Sequence, residues 1–512
     1  MSGDRTSNSI KNSISGFSNK FVNIMMPFIV RTIIIYYLGI EYAGLNNLFS
    51  SVLQVLNLAE LGLSSAIVYC LYKPMADDDI ETICAILKYM RKLYYIIGCI
   101  VLALGLILIP FLSFLVNGKT PNALNIYIIY ITYLLYTVIG YFFYSYKTTL
   151  LNAGQKIGII SNINTLVIFI QSILQIIIII LLKNYYFYIL MLPIFALINN
   201  IWVSYAVKKI YPQITCRNSL CKDMKKDIST RMKGLFVTRI CTTTRNAFDS
   251  IFISSFLGLT VVGIYGNYYY IMSAVVSVLS VITTAITASV GNSLVTESIE
   301  KNYNDMIKFN FIFNWIVGFA SCCMLILYQP FMRIWIGDNG IFDFEIVILI
   351  CVYFYFLNIG SIRAVYHDAA GLWWEARYRA IFEAILNLVL NVLLTKNFGV
   401  FGTILGTLIS LLVVNYLYGT QIVFKYYFKG FTSREYFIEN IKYMIVTIII
   451  DTIIYLITTL INVDGVLSIL IYFIIAAILF NLGYFLVFSK TKICKESMSF
   501  FQRFTKHNCN KH

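Results

Sequence analysis

The stretch YYIIGCIVLALGLILIPFL, Tyr94–Leu112, runs for nineteen residues without an Asp, Glu, Lys or Arg. As a helix rising ~1.5 Å per residue it reaches close to the ~30 Å of a bilayer's hydrocarbon core. Its apolar residues are continuous and do not alternate with polar ones, so the tilted, alternating strands of an outer-membrane barrel are excluded. Working outward, fourteen such apolar segments fill the chain. The first are Phe21–Leu38 and Ala43–Leu71, the middle ones include Gly234–Leu257 and Val261–Val290, and the last are Tyr378–Leu394, Gly399–Phe424, Tyr443–Ile461 and Val466–Phe488. The composition agrees: 59% of the 512 residues are apolar and 12% are charged, against roughly 25% charged in soluble domains. The expected fold is all-α and polytopic.

The net charge of +15 is a topology signal, because the basic residues are unevenly placed. Of 39 Lys and Arg residues, four (Lys119, Lys183, Arg333, Lys396) fall on one side of the predicted membrane, three lie within spans, and the other 32 share a side with both termini. By the positive-inside rule both termini are expected in the cytoplasm, and a nucleic-acid partner is not. A polar N-terminal stretch precedes the first span, so that span is expected to stay as a membrane helix and not to be cleaved as a signal peptide. Eleven cysteines without a CxxC pair and only three histidines give no disulfide framework and no Cys/His metal site. Neither metal nor cofactor is expected.

The chain repeats itself. Leu38-Gly39 with Gly44 and Asn47 resembles Leu257-Gly258 with Gly263 and Asn267, at an offset of 219 with a one-residue slip at the asparagine. Asn152-Ala153-Gly154 resembles Ala369-Ala370-Gly371 at 217. Two similar offsets predict a duplicated six-helix unit, with copies of equal orientation facing each other across a cavity. The expected organisation is an N-terminal lobe over 1–207, a basic cytoplasmic linker over 208–233, a C-terminal lobe over 234–435, an appended helical hairpin over 436–488, and a basic tail over 489–512. The outer connections are short, with no room for a folded outer domain.

Polar residues inside spans mark the faces that look away from lipid. In span one, Asn23, Pro27 and Arg31 share a face. In span two, Asn46, Ser50, Gln54, Asn57 and Ser64 form a stripe beside Glu60. Span seven carries Thr238, Thr242, Arg245 and Asp249 on one face and Arg239, Thr243, Asn246 and Ser250 on the next, and span eight carries a hydroxyl stripe from Ser273 to Thr287. For that stripe, tight helix packing and a polar cavity wall are both open readings. Each mid-span arginine costs about 2.5–3.5 kcal/mol to insert, which argues for a purpose. Arg245 has Asp249 one turn away as a partner, and Arg31 is two turns from Gly39 and within reach of the interface, so structural roles compete with binding ones. As a binding set, Arg31, Arg239 and Arg245 with Asn47, Gln54, Asn57 and Asn267 suit an anionic head such as a phosphate, which a guanidinium grips with paired donors. Glu60 and Asp249 are candidate ion-coupling carboxylates. Arg379, Glu383, Asn387 and Asn391 line one face of span eleven, where solvation or pairing within the helix is expected. Arg363, His367 and Asp368 are expected to anchor an inner membrane edge, and Asp451 stands alone in span thirteen.

These stretches, YYLGIEYAGLNNLFSSVLQVLNLAELGLSSAIVYCLY from Tyr36 to Tyr72, DSIFISSFLGLTVVGIYGNYYYI from Asp249 to Ile271 and EAILNLVLNVLLTKNFGVFGTILGTLIS from Glu383 to Ser410, resemble the bacterial polysaccharide flippases of the multidrug/oligosaccharidyl-lipid/polysaccharide exporter superfamily. The resemblance implies twelve helices plus two. It also implies transfer of an undecaprenyl-pyrophosphate-linked O-antigen, capsule or exopolysaccharide repeat unit from the inner to the outer leaflet of the bacterial cytoplasmic membrane. It places a cationic cavity between the lobes, where Arg31, Arg239 and Arg245 would meet the pyrophosphate. Partners would be the lipid-linked oligosaccharide, membrane lipids, and a polysaccharide polymerase with its export machinery. Such a protein breaks no bond and is not an enzyme. The competing readings are a multidrug antiporter of cationic compounds with the same lobes, a membrane polymerase or glycosyltransferase, and a scaffold subunit. Three deep arginines disfavour cationic drugs, and the short outer loops disfavour a catalytic domain.

Overall fold

A computed structural model of the chain describes residues 2–57, 63–116, 121, 124–461 and 463–499. No strand occurs among them. The helices in chain order are α1 Ser2–Tyr37, α2 Ile40–Leu56, α3 Leu63–Ala76, α4 Ile80–Leu108, α5 Leu112–Leu115, α6 Ile126–Phe142, α7 Thr148–Ala153, α8 Ile157–Leu182 and α9 Tyr185–Ile210. They continue as α10 Lys222–Leu257, α11 Leu259–Thr296, α12 Ile299–Ile336, α13 Phe344–Ile359, α14 Ser361–Ala369, α15 Arg377–Ser410, a π-helical stretch Leu411–Tyr418, α16 Gly419–Tyr426, α17 Ser433–Thr459 and α18 Val466–Phe488. Apolar sequence sets their length and short polar side chains start them. Asn125 accepts hydrogen bonds from the Tyr127 and Ile128 amides, Asn184 from those of Tyr186 and Phe187, and Ser298 from that of Lys301.

Ten described helices are long and apolar enough to cross a membrane, or eleven if the bent pair Ile126–Phe142 and Ser145–Ala153 is one span. The predicted fourteen are therefore not all seen as separate helices. Predicted span two falls into α2 and α3, with undescribed residues between them. Span seven lies in α10, where Ala247–Leu257 is a shorter apolar stretch among the described residues. Spans eleven and twelve run together as one 50-residue helical segment, Arg377–Tyr426, but Gly399 breaks it at φ 59°, ψ −139°. Across that break Thr395 bonds Thr403 at 2.8 Å and Asn387 bonds Thr407 at 3.0 Å, as in an antiparallel hairpin. Large apolar side chains point outward, Leu181 at 74% exposure and Leu460 at 83%. That is costly in water and natural in lipid. The chain is a multi-pass membrane protein.

Two compact units divide the chain, residues 1–266 and 267–512. The division lies within α11 and not in the 208–233 connection, because α10 packs on α2 and α3 of the first unit. In that unit α1 lies along α8, α6 along α9, and Phe49 stacks obliquely on Tyr130 and Tyr133, with ring centroids 5.8 and 5.7 Å away. In the second unit α12 is the central helix, contacted by α13, α17 and α18. The C-terminal hairpin α17–α18 is held to it by a cluster of rings around Phe311, Tyr443, Tyr484 and Phe488.

The repeat is structural. The glycines Gly39 (φ 120°, ψ 165°) and Gly258 (φ 91°, ψ 174°) both adopt a conformation essentially restricted to glycine, each between two helices. In the second match the register is 216 and not 217. Gly154 and Ala370 each end a short helix at φ −78° and −81°, and Gln155 and Gly371 follow with φ 56° and 67°. Each copy there consists of a long helix followed by a short one, α6 with α7 and α13 with α14.

Candidate functional site

The two glycine turns meet within the first unit. A Cβ on Gly44 would collide with the Leu259 carbonyl oxygen, and a Cβ on Gly263 would collide with the carbonyl oxygen of Ile40. Gly44 and Gly263, like Ile40 and Leu259, stand 219 positions apart. Each repeat thus presses the same glycine against the same backbone group of the other, as in an interface built on a two-fold axis. Glu41 and Thr260, again 219 apart, are joined by a 3.2 Å hydrogen bond. The slip at the asparagine has a cause here: the position equivalent to Asn47 is Gly266, and a Cβ there would run into the Asn47 amide. One site near the axis has room for one carboxamide, so the second repeat carries its asparagine one residue later, at Asn267.

Arg31 closes this contact. Its Nη1 donates to Asn47 Oδ1 at 2.8 Å and its Nη2 to the Gly263 carbonyl at 3.1 Å, while Asn47 Nδ2 donates to the Val262 carbonyl at 3.1 Å. The arginine is 8% exposed, and the polar groups named here are neutral oxygens. Beside it, Asn46 accepts from the Tyr133 hydroxyl at 2.5 Å and donates to that of Tyr188 at 3.1 Å. Arg245 (6% exposed) and Asp249 (2%) lie one turn apart on α10, and Asp249 accepts from the Tyr265 hydroxyl at 3.1 Å. The structure therefore brings Arg31 and Asn47 together and buries Arg245 and Asp249. Gln54 is exposed, Asn57 accepts from Tyr141 at 2.9 Å, and Asn267 is fully buried in the second unit. Glu60 lies outside the described residues, as does the side chain of Arg239.

A polar hollow of about 400 Å³ opens elsewhere in the first unit, reached by Asn57 at the C-terminal cap of α2 and by residues of α4, α6, α8 and α9. The sequence reading singled out Asn57 but missed Gln171, Asn199 and Asn200. The signal was present: Asn164 and Gln171 are seven residues apart on α8, two turns along one face.

In the second unit the face of span eleven is not solvated. Glu383 is fully buried and accepts from Asn415 Nδ2 at 3.0 Å, and Asn415 accepts from Arg363 Nη2 at 3.1 Å. The reason is the hairpin at Gly399, which folds the polar face of span eleven against that of span twelve. Arg363, expected as an interfacial anchor, is 2% exposed for the same reason. Asp451 is 8% exposed in a largely apolar cleft of about 360 Å³ with Thr447 and Tyr355. Among the described residues no cluster of three or more His, Cys, Asp or Glu side chains is placed to hold a metal ion.

This architecture is shared with solved transporters. The lipid II flippase MurJ in an inward closed conformation aligns over 94% of this chain and 99% of its own, with a TM-score of 0.66 and 14% identity. An inward-facing MATE-family multidrug resistance transporter of the MOP superfamily aligns over 78% of this chain and 94% of its own, with a TM-score of 0.58 and 15% identity. A mutant form of the Vibrio cholerae MATE transporter VcmN aligns over 83% and 99%, at 0.54 and 15%. At these identities the likeness is one of fold. No curated protein sequence matches the chain significantly. A family profile described as polysaccharide biosynthesis protein matches residues 9–287, more than half of the chain. With its MOP-type helical fold and that match, the chain belongs to the polysaccharide biosynthesis protein family.

Proposed function

We propose that the protein is a flippase that carries a lipid-linked oligosaccharide, of the undecaprenyl-pyrophosphate type, from the inner to the outer leaflet of a bacterial cytoplasmic membrane. The observation that carries this reading is the burial of Arg31 and Arg245 in a unit of transporter fold. A guanidinium stays protonated at any physiological pH, and a phosphate is the anion its planar donors fit best. Family membership supports a glycan substrate. In the proposed cycle the pyrophosphate enters from the cytoplasmic side and is held by Arg245, Arg239 and Arg31, while Asn47, Gln54, Asn57 and Asn267 offer neutral bonds to the head. The lipid tail stays in the bilayer, and no covalent bond changes. The glycine turns at Gly39 and Gly258 separate to release the head on the far side, which frees Arg31 from Asn47 and the Gly263 carbonyl. Asp249 and Glu60 are the carboxylates available for coupling to an ion gradient.

The test is complementation of a host that lacks its own polysaccharide flippase. Arg245→Ala and Arg239→Ala are expected to lower surface polysaccharide at least about tenfold, since a charge-assisted bond contributes ~1.5–3 kcal/mol, with unchanged amounts of protein in the membrane. Full export by both variants would overturn the reading.

A further inference from the structure

The 400 Å³ hollow of the first unit has a lining unlike that of the arginine region. Five carboxamides reach it, Asn57 at the C-terminal cap of α2, Asn164 and Gln171 from α8, and Asn199 and Asn200 from α9. Tyrosines complete the wall, with Tyr94 and Tyr141 tilted against each other, ring centroids 5.8 Å apart, and Tyr136 43% exposed. Among the described residues no Asp, Glu, Lys or Arg lines it. Gln171 and Asn200 fall near the middle of their 26-residue helices, where an unmatched polar side chain is expensive. Asn200 is 8% exposed and Asn199 Oδ1 is buried without a hydrogen-bond partner among the described residues, so the wall holds an acceptor that awaits a donor.

We propose that this hollow is a binding site for an uncharged sugar unit. Each carboxamide offers a donor and an acceptor on one planar group, which is what vicinal hydroxyls require, and aromatic faces receive the apolar C–H side of a pyranose ring. A charged ligand would be stripped of water here with no counter-charge among the described residues of the wall to meet it. The volume lies within the range of small-molecule sites. The physiological meaning rests on the flippase reading: the hollow would hold a neutral residue of the glycan while the arginines hold its anionic head. Binding of a free sugar does not depend on that reading.

The experiment uses the full chain in lipid nanodiscs and saturation-transfer NMR with free N-acetylglucosamine and galactose, with glucuronate and glycerol as comparators. Saturation transfer is expected to the ring protons of at least one neutral sugar. Binding should be about tenfold weaker in Asn200→Leu and in Gln171→Leu, the loss expected for one or two hydrogen bonds, and unchanged in Arg245→Ala. Gln171 is only half-buried, so its variant keeps the test open should Asn200→Leu fail to fold. No transfer to either neutral sugar, equal transfer in wild type and the folded variants, or equal transfer to glycerol would overturn the proposal, the last by revealing a hydrated void that admits any polyol. If Arg245→Ala and Arg239→Ala both keep full export while sugar binding persists, the anion reading fails and the sugar site stands.

Discussion

Gly44 and Gly263 are irreplaceable for a geometric reason. The atoms their side chains would strike are backbone carbonyl oxygens, which cannot rotate away as a side chain can. Gly44→Val is therefore expected to destabilise the protein by about 1–3 kcal/mol, the usual cost of overpacking, seen as a lower melting temperature in detergent; an unchanged melting temperature would show that the turns separate freely. Asn47→Ala removes an acceptor from Arg31 and leaves the Val262 carbonyl without its donor, for a loss of about 1–3 kcal/mol. At this scale much was legible. The glycine pairs announced the repeat, and Arg31 stood out as a cation deep in a span. What could not be read was the identity of the groups Arg31 bonds. One of them is a backbone carbonyl 232 residues away, and carbonyls leave no mark in a sequence.

Among the elements, the hairpin of α15 is the instructive case. Its polar face, Arg379, Glu383, Asn387 and Asn391, suggested solvation or pairing within the helix when span eleven was considered alone. The partner face, Thr403, Thr407 and Ser410, lies on span twelve and is brought back only by the turn at Gly399. A face is assigned to water or to protein by what the next helix carries, and periodicity within one helix does not contain that. Gly399→Ala should cost about 1–3 kcal/mol, because alanine is strained at φ 59°, ψ −139°. Thermal unfolding would measure it, and a cost near zero would mean the turn has other conformations open to it. The appended hairpin rests on α12 through Trp315, whose Nε1 donates to Asn481 at 3.0 Å and whose ring lies 5.1 Å from Tyr484. Trp315→Ala should cost about 1–3 kcal/mol, less than truncating a fully buried ring because Trp315 is only half-buried, and should expose α17–α18 to limited proteolysis ahead of the rest of the chain.

For the whole molecule, hydropathy and the bias of basic residues were enough to give a polytopic helical protein, and the duplicated glycine turns gave its internal symmetry. The number of spans was less legible, since spans eleven and twelve run together as one helical segment broken only at Gly399. The cargo is the least legible property of all, because it depends on which side chains share one space. The central claim is that buried guanidinium groups receive the anionic head of a lipid-linked glycan. The most direct measurement is flipping of a fluorescent polyprenyl-pyrophosphate-linked sugar in vesicles containing the purified protein, read as loss of signal to an impermeant quencher. The account predicts flipping by the wild type and a drop of about tenfold in Arg245→Ala. Equal flipping by both, or none with the wild type, would contradict it.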